Sequence, residues 1–291
     1  MKKRYSISEE AFKIATLAIE AILYEASCFP SPGLVSPLSQ GAHEDMNYYT
    51  FLDGASALIK PLLLCSECGF SPLSEKEIFY KIRAIGIQGE TQMLTKTQGI
   101  NTQKGMLFLL GICVAAVSKV IYEGKGFDDI KSIIRIMTQG IVSRELALDH
   151  KRQDGHQSHG EKVFSKYNID GIRGEVERGL PTVFDFSMKF YGDCKDLSTN
   201  ERLAHTLIGI MQYCDDSTIL YRHNIDTLIY VKKRAAHIID IGGMKTEDGR
   251  VAIKALDKEF KVLRISPGGS ADLLAVTLFL YNVREEFNNY V

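Results

Sequence analysis

The stretch Met106-Leu-Phe-Leu-Leu-Gly-Ile-Cys-Val-Ala-Ala-Val117 is the most apolar segment of the chain, and Lys104 and Lys119 bound it. It falls well short of the roughly 18 to 20 residues that a helix needs to cross a lipid bilayer. A helix that is apolar on every side is typical of a protein interior. The stretch therefore predicts a buried central helix in a soluble protein.

The rest of the chain has apolar residues at every third or fourth position, which places them on one face of a helix. The segment Thr182-Val-Phe-Asp-Phe186 could pass for a strand, but it follows Pro181, which suits the first turn of a helix. No internal repeat and no linker rich in Pro, Gly or Ser divides the sequence. We therefore predict an all-α fold, a single-domain bundle of about ten helices over residues 1–291.

Helix starts are marked by a serine or threonine three positions before an acid, the spacing of a capping box. The four pairs are Ser6 with Glu9, Thr50 with Asp53, Ser74 with Glu77 and Ser198 with Glu201. Together with the apolar periodicity, they predict helices near residues 8–27, 47–66, 74–86, 103–122, 127–147, 182–191, 198–214, 225–240, 250–263 and 270–287.

The charge balance limits the partners of the chain, because 35 Lys and Arg face 36 Asp and Glu among 291 residues, for a net charge of −1. Such a chain has no global field that attracts nucleic acid or a membrane surface, and we expect neither as a partner. The basic residues 1–4 precede polar residues, unlike a signal peptide. The six scattered cysteines suit free thiols in a cytoplasmic protein, and Cys65-x-x-Cys68 lacks the second pair of a zinc site.

The longest break in the helical pattern is the polar segment 149–171, which we predict to be a loop and a candidate lid. It contains His150, His156 and His159, and two histidines three positions apart can chelate a metal in some geometries. A solvated polar loop explains the same residues, and we favour that interpretation.

Glycine and proline residues gather in five polar clusters, each beside the end of a predicted helix, and such clusters build binding sites. In the first cluster, prolines and Gly33 fix an extended turn ahead of His43 and Asp45. In the alternative interpretation, Asp45 caps the next helix and His43 is an ordinary loop histidine.

The second cluster runs over residues 86–90 and 99–105, and it places Asn101 and Lys104 just before the central helix. Small glycines, a lysine and free backbone amides at a helix N-terminus suit an anionic oxygen. The spacing differs from that of a P-loop, which also follows a strand. A capped turn with an exposed lysine is the alternative.

The third cluster, Arg173-Gly-Glu175-Val-Glu177-Arg178, concentrates two acids and two arginines beside glycines and a proline. The fourth places Asp216 directly after Asp215 and ahead of Arg222. Adjacent carboxylates repel each other unless a cation or solvent relieves them. A divalent metal and simple exposure at a helix end are therefore equally good interpretations of the pair.

The fifth cluster, Ser266-Pro-Gly-Gly-Ser270-Ala-Asp272, offers Ser270 as a helix N-cap and Asp272 as an acid in the first turn. Its glycines would also make a good phosphate cradle. A carboxylate beside a phosphate is tolerable if Mg²⁺ lies between them, so a magnesium nucleotide would reconcile both features.

The order of these motifs is similar to that of the triphosphoribosyl-dephospho-CoA synthase family, over about residues 25–280. The motifs are Pro32-Gly-Leu-Val35, Gly41-Ala-His43-x-Asp45-Met46, Gly99-Ile-Asn101-Thr-x-Lys104-Gly105, Arg173-Gly-Glu175-x-Glu177-x-Gly179-x-Pro181 and Ser266-Pro-Gly-Gly-Ser270-Ala-Asp272-Leu-Leu274. The resemblance implies an all-helical transferase that joins ATP to 3′-dephospho-CoA and releases adenine. Its product is the precursor of the prosthetic group of citrate lyase or malonate decarboxylase.

The resemblance also implies roles for the clustered residues, because positive charge grows on the ribose in such a transfer and carboxylates stabilise it. The expected catalytic residues are Glu175, Glu177, His43 and Glu90, with His43 as an acid for adenine or an orienting group for Asp45. The expected nucleotide-binding residues are Lys104, Asn101, Arg173, Arg222, Gly268, Gly269 and Ser270. The expected Mg²⁺ ligands are Asp216, Asp272 and Asp45.

The chain differs from the family pattern at several positions, where it has Ser31, Ser36, Gln92, Gln103 and His223-Asn224. Two alternatives therefore stay open: a Mg²⁺-dependent N-glycoside hydrolase of a nucleotide or ADP-ribose-like substrate, and a helical binding protein without catalysis. The sequence does not fix the oligomeric state, although apolar helical chains of this size often pair, and a homodimer is one candidate.

Overall fold

The computed structural model describes residues 7–147 and 158–287. This part of the chain contains thirteen α-helices and no β-strand, and an isolated bridge joins Ser36 to Ser39. The prediction of an all-α fold is confirmed. The helices are α1 (Glu9–Ser27), α2 (Tyr48–Gly69), α3 (Glu75–Lys96), α4 (Lys104–Tyr122), α5 (Asp129–Thr138), α6 (His159–Tyr167), α7 (Gly171–Glu177), α8 (Met188–Gly192), α9 (Thr199–Met211), α10 (Ser217–Arg222), α11 (Ile225–Asp240), α12 (Glu247–Leu263) and α13 (Gly268–Glu286).

Helix α4 contains the apolar stretch and lies at the centre of the first half of the fold, where α1, α2, α3, α5 and α13 pack around it. Leu109, Leu110 and Val114 are fully buried on it. Among the described helices, α4 alone is long and apolar enough to span a membrane, but 78% of its most apolar window is buried inside the protein. It is therefore packed as a core helix, as predicted.

One continuous apolar core runs from α1 to the end of α13, with Ile14 at one end of the sequence and Phe287 at the other. In the second half of the fold, α9 packs against α11 and α13. Because α13 contacts both α4 and α9, it links the two halves. Its N-terminus and that of α4 are thereby held close to each other.

Of the predicted helix starts that pair a serine with a glutamate, two are present as capping boxes, at Ser74 for α3 and at Ser198 for α9. The prediction for Thr50 is wrong, because Asn47 caps α2 and Thr50 is the third residue of that helix. For α1 the capping residue is Ser8, whose hydroxyl accepts a hydrogen bond from the Ala11 amide. Ser6 lies outside the described residues.

Several predicted helix limits are corrected. Helix α3 continues ten residues beyond position 86, because Gly89 and Met93 extend its buried face. The helix predicted over 127–147 is interrupted at Gly140, whose φ of 76° is left-handed and favours glycine. After it, residues Ser143–Ala147 form a π-helical segment. The segment predicted over 182–191 also begins as a π-helix, over Thr182–Ser187, before α8.

The polar segment 149–171 is only partly described, and its described part is helical rather than a loop. Ser158 caps α6 and forms a capping box with Glu161, and α7 begins at Gly171. Helices α7 and α10 were not predicted either. His150, His156 and the remainder of the candidate lid, residues 149–157, lie outside the described residues.

Candidate active site

Two adjoining cavities lie between the N-termini of α4, α7, α10 and α13. We call the cavity of about 400 Å³ the larger lobe and the cavity of about 270 Å³ the smaller lobe. The residues that line both lobes are Asn101, Lys104, Gly105, His159, Thr218 and Asp272. The starts of α4, α6, α10 and α13, which are distant in the sequence, therefore meet where the two lobes join and build one bipartite site.

The larger lobe combines an apolar wall with two arginines. Ile82, Leu107 and Phe108 contribute to the wall. Arg83 Nη2 and Arg173 Nε each donate a hydrogen bond of 2.8 Å to the Glu145 carboxylate. Since one carboxylate serves two guanidinium groups, the group of three retains a net positive charge that faces the lobe.

Lys104 lies at the boundary between the lobes. Its Nζ is 2.5 Å from Glu90 Oε1, and Glu90 projects from α3 into the larger lobe. The Lys104 amide, the first of α4, donates a hydrogen bond of 3.2 Å to Asn101 Oδ1, whereas the N-cap residue Gln103 makes no side-chain cap hydrogen bond. The second cluster thus supplies a cation, a carboxylate and a helix N-terminus to one point.

His43 and Arg222 face each other in the smaller lobe. Arg222 Nη2 lies 3.3 Å from His43 Nδ1, and His43 Nε2 lies 3.0 Å from Ser266 Oγ. Asp45 Oδ1 is 3.5 Å from the same Nδ1 atom. Burial, followed by the charge of Arg222, lowers the pKa of His43 despite the Asp45 carboxylate. The imidazole is therefore neutral at pH 7, with both nitrogens close to protein groups.

Asp272 projects from α13 toward both lobes and lies against Gly105 at the start of α4. The approach is so close that a Cβ atom at Gly105 would overlap the Asp272 carboxylate. The side chain is accessible from the lobes and otherwise enclosed by protein. This burial, with the charges of Glu25 and Asp216, raises the pKa of Asp272 well above its ordinary value.

Asp216 lies behind the site and lines none of the cavities described here. Its Oδ1 accepts hydrogen bonds from the Thr218 and Ile219 amides, as the N-cap of α10. Its Oδ2 accepts two from Ser270. Asp216 is thus saturated by protein donors, although burial still raises its pKa.

The prediction that Ser270 is the N-cap of α13 is wrong, because the helix begins two residues earlier at Gly268. Its amide and hydroxyl face Asp216 instead. Gly268 lines the smaller lobe and Gly269 the larger. The fifth cluster therefore reaches the site through its glycines and Asp272.

The two acids of the third cluster separate. Glu175 lines a small cavity of about 40 Å³ beside the larger lobe, and its Oε1 accepts a hydrogen bond of 2.7 Å from the Thr182 amide. Burial raises the pKa of Glu175. Glu177 lines none of these cavities, because its carboxylate accepts hydrogen bonds from the Gly140 and Val142 amides. The structure does not bring Glu177 to the other site residues.

One residue of the site, His159, was considered from the sequence only as a metal ligand and set aside, and other residues were missed. His159 stacks on Tyr221 with ring centroids 3.6 Å apart, and Lys162 Nζ lies 5.7 Å from the Tyr221 ring centroid. Burial and three nearby cations, Lys162 first, lower the pKa of His159. The overlooked signal was the Ser158-x-x-Glu161 capping box. Glu25, Arg83 and Thr218 were missed as well.

The described part of the chain contains no group of three His, Cys, Asp or Glu side chains arranged to hold a metal ion. Asp45 and Asp272 both line the smaller lobe, as does Glu25. Oxygen atoms from only two carboxylates suffice for Mg²⁺ when phosphate oxygens and water complete its shell. The residues of the smaller lobe therefore fit a Mg²⁺ ion that arrives with a phosphate ligand.

Residues 11–291 match the family profile described as ATP:dephospho-CoA triphosphoribosyl transferase. The chain belongs to the ATP:dephospho-CoA triphosphoribosyl transferase family. It is 33% identical to a probable 2-(5''-triphosphoribosyl)-3'-dephosphocoenzyme-A synthase of Malonomonas rubra, over 97% of this chain and 91% of the relative. It is 35% identical to a protein of the same name from Lactiplantibacillus plantarum, over 92% and 95% of the two chains. No solved structure matches the sequence.

The triphosphoribosyl transferase family assignment confirms the resemblance carried by the five motifs, and the chain is accordingly an enzyme of the transferase class. Three of the positions at which the chain differs from the expected motifs, Ser31, Ser36 and Gln103, are buried. Each has a side-chain atom without a hydrogen-bond partner among the described residues. Gln92, in contrast, is exposed on α3.

Proposed function

We propose that the two lobes together are the site at which this chain joins ATP to 3′-dephospho-CoA and releases adenine. The observation that carries the proposal is the set of residues common to both lobes, Lys104 and Asp272 above all. A transfer between two substrates needs two compartments that open onto one reacting centre. The product is 2'-(5''-triphosphoribosyl)-3'-dephospho-CoA, the precursor of an acyl-carrier prosthetic group of the citrate lyase or malonate decarboxylase kind.

The reaction breaks the bond between adenine and the ribose C1 of ATP and forms a bond from that carbon to a ribose hydroxyl of 3′-dephospho-CoA. The hydroxyl loses its proton, and the departing adenine gains one. Positive charge develops on the ATP ribose in the transition state, as in other glycosyl transfers. We place that ribose between Lys104 and Asp272, where the Asp272 carboxylate stabilises the positive charge that develops on the sugar.

We assign the triphosphate of ATP to the smaller lobe. Lys104 and Arg222 lie there with the backbone amides at the start of α13, and the charges of both residues depress the pKa of His159. Positive charges that lower the pKa of a histidine also attract an anion, for the same electrostatic reason. His43, which is neutral, serves in this proposal to position Arg222 and not to protonate adenine.

We assign 3′-dephospho-CoA to the larger lobe. The apolar wall around Ile82 and Phe108 suits an uncharged arm, and the Arg83 and Arg173 pair suits a diphosphate. Glu90 is the carboxylate of this lobe that borders Lys104. We infer that Glu90 accepts the proton of the incoming hydroxyl, while Glu175 supports α7 from behind.

Mg²⁺ is expected with ATP, and the carboxylates of the smaller lobe, among them Asp272 of the fifth cluster and Asp45 of the first, are the groups that could hold it. When bound, it would neutralise triphosphate oxygens beside these carboxylates. Asp216 acts in this proposal by holding the starts of α10 and α13 together. A cytoplasmic location, a homodimer and a single catalytic domain over residues 1–291 stay predictions.

The test is release of adenine from ATP and Mg²⁺, with and without 3′-dephospho-CoA. We expect adenine and a conjugate of the two substrates to appear in equal amounts, and only when the acceptor is present. Release without the acceptor would support the hydrolase alternative. A folded protein that neither releases adenine nor binds ATP by calorimetry would contradict the proposal and support a binding protein without catalysis.

A further inference from the structure

Glu25 is a buried carboxyl group that no motif assigned to the site. It projects from α1 into the smaller lobe and is only 5% exposed. Its Oε2 atom is buried and has no hydrogen-bond partner among the described residues. A buried carboxyl oxygen without a partner costs free energy, so its position facing a cavity points to a missing ligand.

Asp272 shares this environment. Both Asp272 and Glu25 line the smaller lobe, so their carboxyl groups border the same cavity. The described cations near the lobe have other partners: Lys104 pairs with Glu90, and Arg222 faces His43. No ion pair of Glu25 or Asp272 with a lysine or arginine occurs within residues 7–147 and 158–287.

The geometry points to Glu25 and Asp272 as the two protein ligands of one divalent cation in the smaller lobe. The inference rests on the proposed function, since it places the cation beside the ATP triphosphate. Two neighbouring carboxylates and a triphosphate are mutually repulsive, and a divalent ion with oxygen ligands relieves all three.

This assignment changes the set of ligands predicted from the sequence. Asp216 is occupied by hydrogen bonds from α10 and α13 and offers no free oxygen to the lobe. Asp45 is exposed, and its Oδ1 atom lies 3.5 Å from His43 Nδ1. A ligand inside the lobe needs an oxygen atom that no protein group already occupies. Glu25 supplies one, because its buried Oε2 atom has no hydrogen-bond partner among the described residues.

The probe is Mn²⁺ alone, a divalent ion of similar ligand preference that is detected by electron paramagnetic resonance. Binding is measured for the wild type, Glu25→Gln, Asp272→Asn and the double variant, without ATP. We expect each single substitution to weaken Mn²⁺ binding by about 100-fold and the double variant to be little weaker than either. Glu20→Gln is the control on the same helix, since Glu20 lies outside both lobes and contacts Asn282.

Glu25→Asp is the second variant, in case Glu25→Gln does not fold by circular dichroism. It keeps the charge but shortens the side chain, and we expect Mn²⁺ affinity to fall by about tenfold. Wild-type affinity for Mn²⁺ in whichever Glu25 variant is folded would overturn the inference. If that variant still carries out acceptor-dependent adenine release and binds Mn²⁺ normally, the proposed function stands and only the metal assignment fails.

Discussion

The Asp216 carboxylate holds the N-terminus of α13 against that of α10. Its Oδ2 accepts hydrogen bonds from the Ser270 amide at 2.9 Å and from the Ser270 hydroxyl at 3.1 Å. Its Oδ1 caps α10 at the Thr218 amide, at 3.0 Å. Because Thr218 and Gly269 line the larger lobe, this one side chain fixes two parts of the cavity wall.

Replacement of Asp216 by asparagine should therefore destabilise the fold. The amide group of the variant presents a donor to Ser270 or to α10, where only an acceptor fits, and leaves buried amides unsatisfied. We expect a loss of roughly 1–3 kcal/mol in the free energy of unfolding. Urea unfolding followed by circular dichroism measures it. Asp215→Asn is the adjacent control, since Asp215 is half exposed and forms a surface pair with Lys232. Equal stability of the two variants would contradict this role.

Lys104→Gln should weaken ATP binding. Loss of a charge-assisted contact with phosphate, worth about 1.5–3 kcal/mol, corresponds to roughly a 10- to 100-fold higher dissociation constant. The affinity of the variant should also depend less on salt than that of the wild type. Calorimetric titration with ATP at two salt concentrations measures both effects. Lys96→Gln is the matched control, because Lys96 Nζ pairs with Asp53 Oδ1 at the surface at 3.8 Å. An equal loss of ATP affinity in that variant would refute a specific role for Lys104.

His43 and Arg222 should behave as one unit. If His43 positions Arg222, His43→Asn and Arg222→Gln each raise KM for ATP by about tenfold, and the double variant is no worse than the single ones. A general acid would give another result, a fall of roughly 10²- to 10⁴-fold in kcat for His43→Asn alone. Steady-state kinetics of adenine release distinguish the two. A fall in kcat at unchanged KM would restore the acid role.

Arg83→Gln should impair use of 3′-dephospho-CoA and leave ATP binding intact. The substitution leaves Glu145 paired with Arg173 alone and removes the surplus positive charge from the larger lobe. We expect KM for 3′-dephospho-CoA to rise about tenfold or more, with KM for ATP unchanged. Arg144→Gln, which alters an exposed arginine adjacent to Glu145, is the control. A rise in KM for ATP instead would reverse our assignment of the lobes.

His205 should make the fold sensitive to acid, independently of the site. Its Nδ1 accepts a hydrogen bond from the Met244 amide at 3.2 Å, and burial, with the charge of Lys245, lowers its pKa to about 4. The unfolded chain has the ordinary value of 6.5, so below it the unfolded state binds more protons. The stabilisation by neutral His205 is complete above pH 6.5 and lost as the pH falls through 4.

Urea unfolding between pH 7 and pH 4 checks this expectation. The wild type should lose more stability over this range than His205→Gln, whose side chain does not titrate. His237→Gln is the control, because His237 is exposed on α11. If the free energies of unfolding of the wild type and His205→Gln fell in parallel with pH, the proposed stabilisation by neutral His205 would be refuted.

The helical fold was readable from the sequence wherever one face of a helix is apolar, as in α1, α4 and α11. Helix α6 was not, because it has one buried residue, Val163, and its polar surface resembles a loop. The limit of α3 was missed because Gly86 and Gly89 indicated a helix end. The helix continues because tertiary packing stabilises its second half, where Gly89 and Met93 are buried on the same helix as Ile82.

The site was predictable where a motif concentrates polar residues, as for Lys104, His43 and Asp272. Glu175 and Glu177 show the limit of that approach: they lie two positions apart, so their side chains leave α7 in different directions. Glu25 lacked a motif, although it follows Ile14, Ala18 and Ala21 on the buried face of α1. An acid in line with a buried face was the signal that could have found it.

Gly105 lines both lobes, and a Cβ atom at this position would lie only 2.1 Å from Asp272 Oδ2. Any added methyl group would push the acid away from its neighbours. A change as small as alanine at this position would thus displace Asp272 from the boundary between the lobes. The smallest residue at the start of α4 allows an acid from the far end of the chain to reach the point where we propose that the two substrates meet.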